Sequence, residues 1–202
     1  MPRLAGQIDV AKTEAILEAA REVLAERGVA AVDEIARRAQ VSKQTVYNHF
    51  GSKADLVRAL CAQGVQELTA PLDGPEAVER PRETLAAYGE TVLRSLQSTR
   101  NISAIRAAIG SVATTPEIAQ TLYEAGALAS RRRVAEFIDV QAGRGVLSAS
   151  DPMDAAMVFS SLLLGPSQMA ALYGVLEPMG AAEISAQAQT AVDRFFRLFE
   201  AN

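Results

Sequence analysis

The chain is 202 residues long and has one cysteine, Cys61, and one histidine, His49. A single cysteine excludes an internal disulfide and a cysteine-based zinc cluster, and a single histidine excludes a histidine-rich metal site. No metal and no cofactor are expected. There is no apolar run of membrane-spanning length: the stretch from Met157 to Leu164 is interrupted by Ser160 and Ser161, well short of the 18 or more apolar residues that a span needs. The opening Met1-Pro2-Arg3-Leu4 runs into charged sequence without the apolar centre of a signal peptide, so no membrane association and a cytoplasmic location are expected. Proline is absent from Asp9 to Thr69, and alternating apolar and polar residues occur nowhere. Strands are therefore not expected, and neither repeats nor low-complexity segments are visible. There is no glycine-rich phosphate loop, and a Ser/His/Asp arrangement would have to use a histidine that lies in a polar helical segment. An enzyme is not expected.

What is present is an ordinary globular composition, 49% hydrophobic and 22% charged, with a net charge of −4. The charge is unevenly placed. Residues 1–68 are balanced, and the excess of acid lies in residues 69–202. Within 36–53 stand Arg37, Arg38, Lys43 and Lys53 and no carboxylate, and the chain's only lysines are Lys12, Lys43 and Lys53. Salt screens exposed charges beyond about 8 Å, so a polyanion meeting this segment is expected to feel the local positive charge rather than the net −4.

Helical periodicity organises the chain. Apolar spacing through Ile16, Leu17, Ala20, Val23 and Leu24 predicts a first helix ended by Gly28, and Val32, Ile35, Ala36 and Ala39 predict a short second one. After a tight connection at Gln40 and Val41, Ser42 is a predicted N-cap, and Val46 and Phe50 are the inward residues of a third helix broken by Gly51. Ser52-Lys53-Ala54-Asp55 has capping-box spacing and opens a fourth helix with Leu56, Val57, Leu60 and Leu68 on one face. Pro71, Gly74, Pro75 and Pro81 mark a linker over 69–81. Beyond it come stripes at Leu85, Tyr88, Val92 and Leu96 and at Ile102, Ile105, Ile109 and Val112, and a long helix from Thr115-Pro116 towards Gly143. Another helix opens at Asp151-Pro152 and bends or ends at Gly165-Pro166, and a final one carries Ile184 to Phe199. The fold class is all-α, about nine helices, in two domains, 8–68 and 82–202, joined by the linker 69–81.

Two short helices joined by a tight turn, the second capped and cationic, are the elements of a helix-turn-helix, here about 31–50. In such a unit the second helix enters the DNA major groove. With Val46 and Phe50 inward, helical geometry turns Lys43, Gln44, Tyr47 and Asn48 outward. Gln44 suits adenine, Lys43 guanine or phosphate, and Tyr47, His49 and Lys53 suit phosphate oxygens. The bland alternative is a polar three-helix surface.

The run from Val32 to Leu56, with Ile16-Leu17-Glu18-Ala19-Ala20 and Glu26-Arg27-Gly28 before it, resembles the DNA-binding signature of TetR-family transcriptional regulators over residues 10–68. The resemblance implies DNA contacts from Ser42, Lys43, Gln44, Thr45, Tyr47, Asn48, His49 and Lys53. It implies double-stranded operator DNA as partner, a homodimer on a palindromic site, and a repressor released by a small-molecule effector. Three departures from the family pattern stand out: a shortened connection from Gly28 to Val32, Ala31 in place of a Ser or Thr cap, and Gln40 in place of a turn glycine. A missing cap costs about 1 kcal/mol. Over 82–202 the resemblance is looser, carried by Gly145-Val146-Leu147, Asp151-Pro152, Ala155-Ala156 and Gly165, and implies a helical module for ligand binding and dimerisation.

Within that module Val192, Phe195, Phe196 and Phe199 form a stripe on the last helix. A stripe of that size is expected to be buried in a homodimer interface, the alternative being burial within one subunit. Tyr88, Arg106, Tyr123, Phe137, Met157, Met169 and Tyr173, with Met153 and Phe159, are candidates for an effector pocket. Arg106, flanking an apolar face, is a candidate to bind a ligand carboxylate, the commoner outcome being a stem that snorkels to solvent or pairs with a nearby acid; methionines and aromatics at helical spacing are likewise more often core. Arg131-Arg132-Arg133 reads as a solvated face and Cys61 as a packed small hydrophobe. The competing function is a helical interaction module without sequence-specific DNA binding.

Overall fold

The computed structural model describes residues 10–27, 31–175, 177 and 179–201. They form an all-α molecule in which two hydrophobic cores are joined through one long helix. Helices α1 (Val10–Arg27), α2 (Val32–Arg38), α3 (Lys43–Phe50) and α4 (Lys53–Thr69) build the first core. Its buried residues include Ile16, Ala20, Val23, Ile35, Val46, Leu56 and Val57, the positions marked by helical periodicity. Gly28 and most of its connection to Val32 lie outside the described residues.

The second core is made by α6 (Pro81–Leu96), α9 (Ala129–Gly143), α10 (Pro152–Leu164) and α12 (Ala181–Phe199). Asp151 caps α10, its Oδ1 accepting from the backbone N–H groups of Met153 (2.9 Å) and Asp154 (3.1 Å), with Pro152 in the first turn. Helix α10 ends at Gly165, at φ 46°. The chain then bends by 58° into α11 (Ser167–Tyr173). No single helix among the described residues is long and apolar enough to cross a membrane. The bent α10–α11 pair has the length and composition for it, but α10 buries Ala155, Ala156, Phe159 and Leu163 in the core. Helices α6, α10 and α12 approach closely at Gly89, where a Cβ would stand 3.0 Å from Leu163 Cδ1 and 3.3 Å from Ala188 Cβ.

Helix α12 corrects an expectation. Val192, Phe195 and Phe196 are buried inside one subunit, and Phe199 is packed against the same core. Phe195 meets Phe159 edge-on at 5.4 Å between centroids, and the Arg82 guanidinium lies 4.1 Å from the centroid of Phe196. The stripe is therefore not an exposed dimer surface. The sequence shows that this face must be covered but not by what, and α6 and α10 of the same chain cover it.

The described residues hold twelve α-helical segments where about nine were expected. The surplus is short. Residues Ala70–Leu72 form a 3-10 turn and Pro75–Glu79 form α5, and both bury a residue, Leu72 and Ala77, in the second core. The stripe at 102–112 is α7 (Thr99–Gly110), and it ends with Ile109 and Val112 exposed. The helix expected from Pro116 to Gly143 is continuous but changes pitch: α8 (Pro116–Leu122) passes through a π segment, Tyr123–Leu128, into α9. Helix α4 packs on both sides of this change, against α8, the π segment and α9. Leu122 of α8 sits against the first core, so α4 belongs to the packing of both cores.

Candidate nucleic-acid interface

The interface is built on α3, whose start is fixed by Ser42. The Ser42 side chain accepts from the Thr45 N–H at 3.0 Å and lies 2.8 Å from the Thr45 hydroxyl. Val46 locks the helix from behind at 2% exposure, and Gly51, at φ 75°, ends it. Helix α4 restarts at once. Ser52 Oγ accepts from Asp55 N–H at 3.1 Å and donates to the Asp55 carboxylate at 2.6 Å, so one half of the capping box forms and the other half is a side-chain pair. The Ser52 hydroxyl, followed by Arg58, holds the Asp55 carboxyl below the usual carboxylate range.

Two departures noted in the sequence leave marks. Ala31 starts α2 without a side-chain cap. Gln40 takes φ 54°, the one positive-φ residue other than glycine among those described. The turn does require the left-handed conformation, and a residue with a Cβ adopts it.

Lys43, Gln44 and Asn48 stand exposed on the outer face of α3, with Ser42 at its start, while Thr45, His49 and Lys53 are half-buried. Tyr47 departs from the expected outward position: it is half-buried and packed against the first core, as is Phe50. Gln44 Nε2 donates to Asn48 Oδ1 at 2.9 Å, an i,i+4 pair that aligns two amides along one face. His49 Nδ1 lies 3.0 Å from Thr13 Oγ1, which ties α3 to α1.

The electrostatics differ from the linear count. Lys43 Nζ is 2.9 Å from Asp33 Oδ1, and that hydrogen bond and charge raise the lysine above its usual range. Arg37 donates to Glu34. Arg38 reaches Glu34 at 3.0 Å, Glu26 at 2.7 Å and Glu22 at 3.4 Å, which drives its guanidinium well above the ordinary value. The predicted positive segment therefore meets four carboxylates brought in by α1 and the start of α2. Counting along 36–53 could not see them, because folding supplies them from residues 22–34. Among the described residues, Lys53 alone of the four cations makes no ion pair.

The chain's two segments match two family models. Residues 16–60 match the model of bacterial regulatory proteins of the tetR family, and residues 83–201 match the C-terminal domain of AefR-like transcriptional repressors. The chain belongs to the TetR family of transcriptional regulators. The HTH-type transcriptional repressor Rv3405c of Mycobacterium tuberculosis is 30% identical over 131 residues, 64% of this chain and 69% of that protein. The crystal structure of a TetR transcriptional regulator from Agrobacterium tumefaciens superposes with a TM-score of 0.78 at 24% identity, covering 95% of each chain. The flavonoid-responsive regulator FrrA superposes with a TM-score of 0.71 at 27% identity, covering 94% of this chain and 97% of its own. TetR-family members are DNA-binding regulators, and the matched N-terminal segment of this one includes α2 and α3.

The structure does not gather the predicted effector-pocket residues into one cavity. Tyr88 and Phe137 are core residues at 4% and 5% exposure, and the Tyr88 hydroxyl is 3.0 Å from Ser130 Oγ. Burial raises the Tyr88 phenol above its usual range. Tyr123, Met157, Met169 and Tyr173 are exposed. Arg106 is engaged within the subunit: its Nε and Nη2 donate to the carbonyls of Leu172 and Ala171, each at 2.8 Å, so it closes the last turn of α11. Sequence spacing showed an arginine beside an apolar stripe but not the helix end, 65 residues away, that it serves. Phe137 lines a shallow surface cavity with Leu72, Val78, Arg133, Glu136 and Val140.

Proposed function

We propose that this TetR-family regulator is a ligand-responsive repressor that binds a palindromic operator as a homodimer in the cytoplasm. Residues 8–68 form the DNA-binding unit, 69–81 the linker and 82–202 the effector-binding and dimerising unit. The observation that carries this reading is the face of α3. Val46 anchors it from behind, and Lys43, Gln44 and Asn48 are presented to solvent together, with Ser42 and Lys53 at the adjoining helix starts. Gln44 and Asn48 read base edges in the major groove. Lys43, Thr45, Tyr47, His49 and Lys53 fix the phosphates. Two such helices must stand about 34 Å apart to enter successive grooves, which requires a second copy. The second copy is met by exposed surface and not by Phe195 and Phe196.

An effector that favours another spacing releases the DNA, and an allosteric coupling of about 1–3 kcal/mol changes affinity about 5–150-fold. The description of FrrA as flavonoid-responsive and of Rv3405c as a repressor supports both halves of this reading. The competing reading, a helical interaction module without sequence-specific DNA binding, has one observation in its favour: Arg37, Arg38 and Lys43 already hold carboxylate partners.

Footprinting on the DNA flanking the protein's own gene separates the two. A protected palindrome is expected, lost in the Lys43→Ala/Gln44→Ala double variant. Both side chains are exposed, so the melting temperature should not change. No protection at low salt, or protection unchanged in the double variant, would refute the operator reading.

A further inference from the structure

A narrow crevice of about 60 Å³ separates the DNA-binding helices from the arm formed by α7 and α8. Leu24 of α1 and Val57 of α4 line one side, and Ala104, Ala107 and Ala108 of α7 with Ile118 and Leu122 of α8 line the other. Its polar members are Lys53, Ser111 and Thr115. The two hydroxyls are already committed: Ser111 Oγ donates to the Ala108 carbonyl at 2.9 Å, and Thr115 Oγ1 to the Ser111 carbonyl at 3.5 Å. No carboxylate lines the crevice. Lys53 is thus the one charged residue lining an apolar slot, and it has no ion-pair partner among the described residues. An anion with a hydrocarbon body would pair with the lysine and cover the slot at once.

We infer that this crevice binds a small apolar monocarboxylate, with the carboxylate on Lys53 Nζ and the hydrocarbon against Val57, Ala104, Ala107 and Ile118, and that its occupancy loosens DNA. The available space is smaller than the roughly 150 Å³ apolar cavity that admits benzene, so a ring or short chain must part α4 from α7 and α8. Val57 stands one turn beyond Lys53, and only Gly51 and Ser52 separate the start of α4 from the end of α3. Movement of the first turn of α4 is therefore handed to α3 with little slack. The same ligand withdraws Lys53 from phosphate, which removes about one counterion-releasing contact per subunit. The binding half stands on the crevice alone; the release half rests on the operator reading above.

Methyl NMR on the full chain tests it, with benzoate and hexanoate as probes and benzamide and hexanamide as neutral counterparts. The carboxylates should shift the methyl signals of Val57, Ala104, Ala107 and Ala108 in the millimolar range, and the amides should do so far more weakly. Lys53→Gln should weaken benzoate binding by about ten- to a hundredfold, the worth of a charge-assisted hydrogen bond. Ala107→Leu, which fills the slot with Lys53 intact, should abolish the shifts. Absence of methyl shifts, equal binding of benzoate and benzamide, or an unchanged affinity in Lys53→Gln would overturn the site. Retention on duplex DNA is then measured against benzoate. Release at the concentration that shifts the methyls is expected, and methyl shifts with firm DNA retention would overturn the coupling. A protein that binds no duplex at all would count against the operator reading, while the methyl shifts would still decide the crevice.

Discussion

Phe195→Ala is the substitution that distinguishes a structural role for the last helix from an interface role. Phe195 is fully buried, with ring centroids of Phe159, Phe196 and Phe199 at 5.4, 6.0 and 4.9 Å. Removing the ring forfeits its transfer free energy and leaves a cavity walled by three other rings, which collapse poorly. Such truncations cost about 3–5 kcal/mol, and aromatic pairs lost at once, at about 0.5–1.5 kcal/mol each, place this site towards the upper end. For a chain of this size each kcal/mol lowers the melting temperature by about 2–4 °C, so a fall of about 6–20 °C is expected. Leu198→Ala, on the same helix but 64% exposed, should change stability by less than about 0.5 kcal/mol. Calorimetric melts of both variants at two protein concentrations provide the assay, and the Phe195→Ala deficit should be the same at each. A deficit below about 1 kcal/mol, or one that appears only on dilution, would return the phenylalanine stripe to a subunit interface.

The remaining expectations concern the DNA-binding half. Gln40→Gly should raise the urea midpoint, because relief of a left-handed conformation worth about 1–2 kcal/mol exceeds the added chain entropy of about 0.5–1 kcal/mol; a lowered midpoint would mean that the side chain, not the backbone, matters there. Asp33→Asn frees the Lys43 amine and should strengthen binding to any duplex a few-fold, read by mobility shift across a salt series. Unchanged affinity would show that Lys43 does not reach DNA. Burial pushes the Cys61 thiol up to about 11, so the thiolate is scarce at pH 8 and alkylation should be far slower than for an exposed thiol, accelerating only as the pH climbs towards that value. Alkylation at the rate of an exposed thiol would mean that the contact between α4 and the π segment, where Cys61 faces Gly126, opens readily.

The sequence by itself determined what short-range rules can reach. Ser42, Ser52 and Asp151 cap the helices that their spacing announced, because a cap depends on atoms within three residues. Ile16, Ala20, Val46 and Leu56 are buried where helical periodicity put them. Residues Val32 to Leu56 also carried the family resemblance, since a recognition unit of short helices is written in one continuous stretch.

Tertiary structure decided everything that depends on which surfaces meet. Periodicity showed that Phe195 and Phe196 must be covered, but their own subunit does the covering. It left Arg106 beside an apolar stripe, and the carbonyls that bind it arrive from α11. The linear count gave four bare cations in 36–53, and α1 and α2 brought carboxylates to three of them, Arg37, Arg38 and Lys43. The crevice beside Lys53 has walls from four helices spread over residues 24–122, so no local pattern encodes it. Apolar burial is non-directional and a charge pairs with any opposite charge in reach: a sequence therefore records the demand for a partner, and only the folded chain supplies its identity.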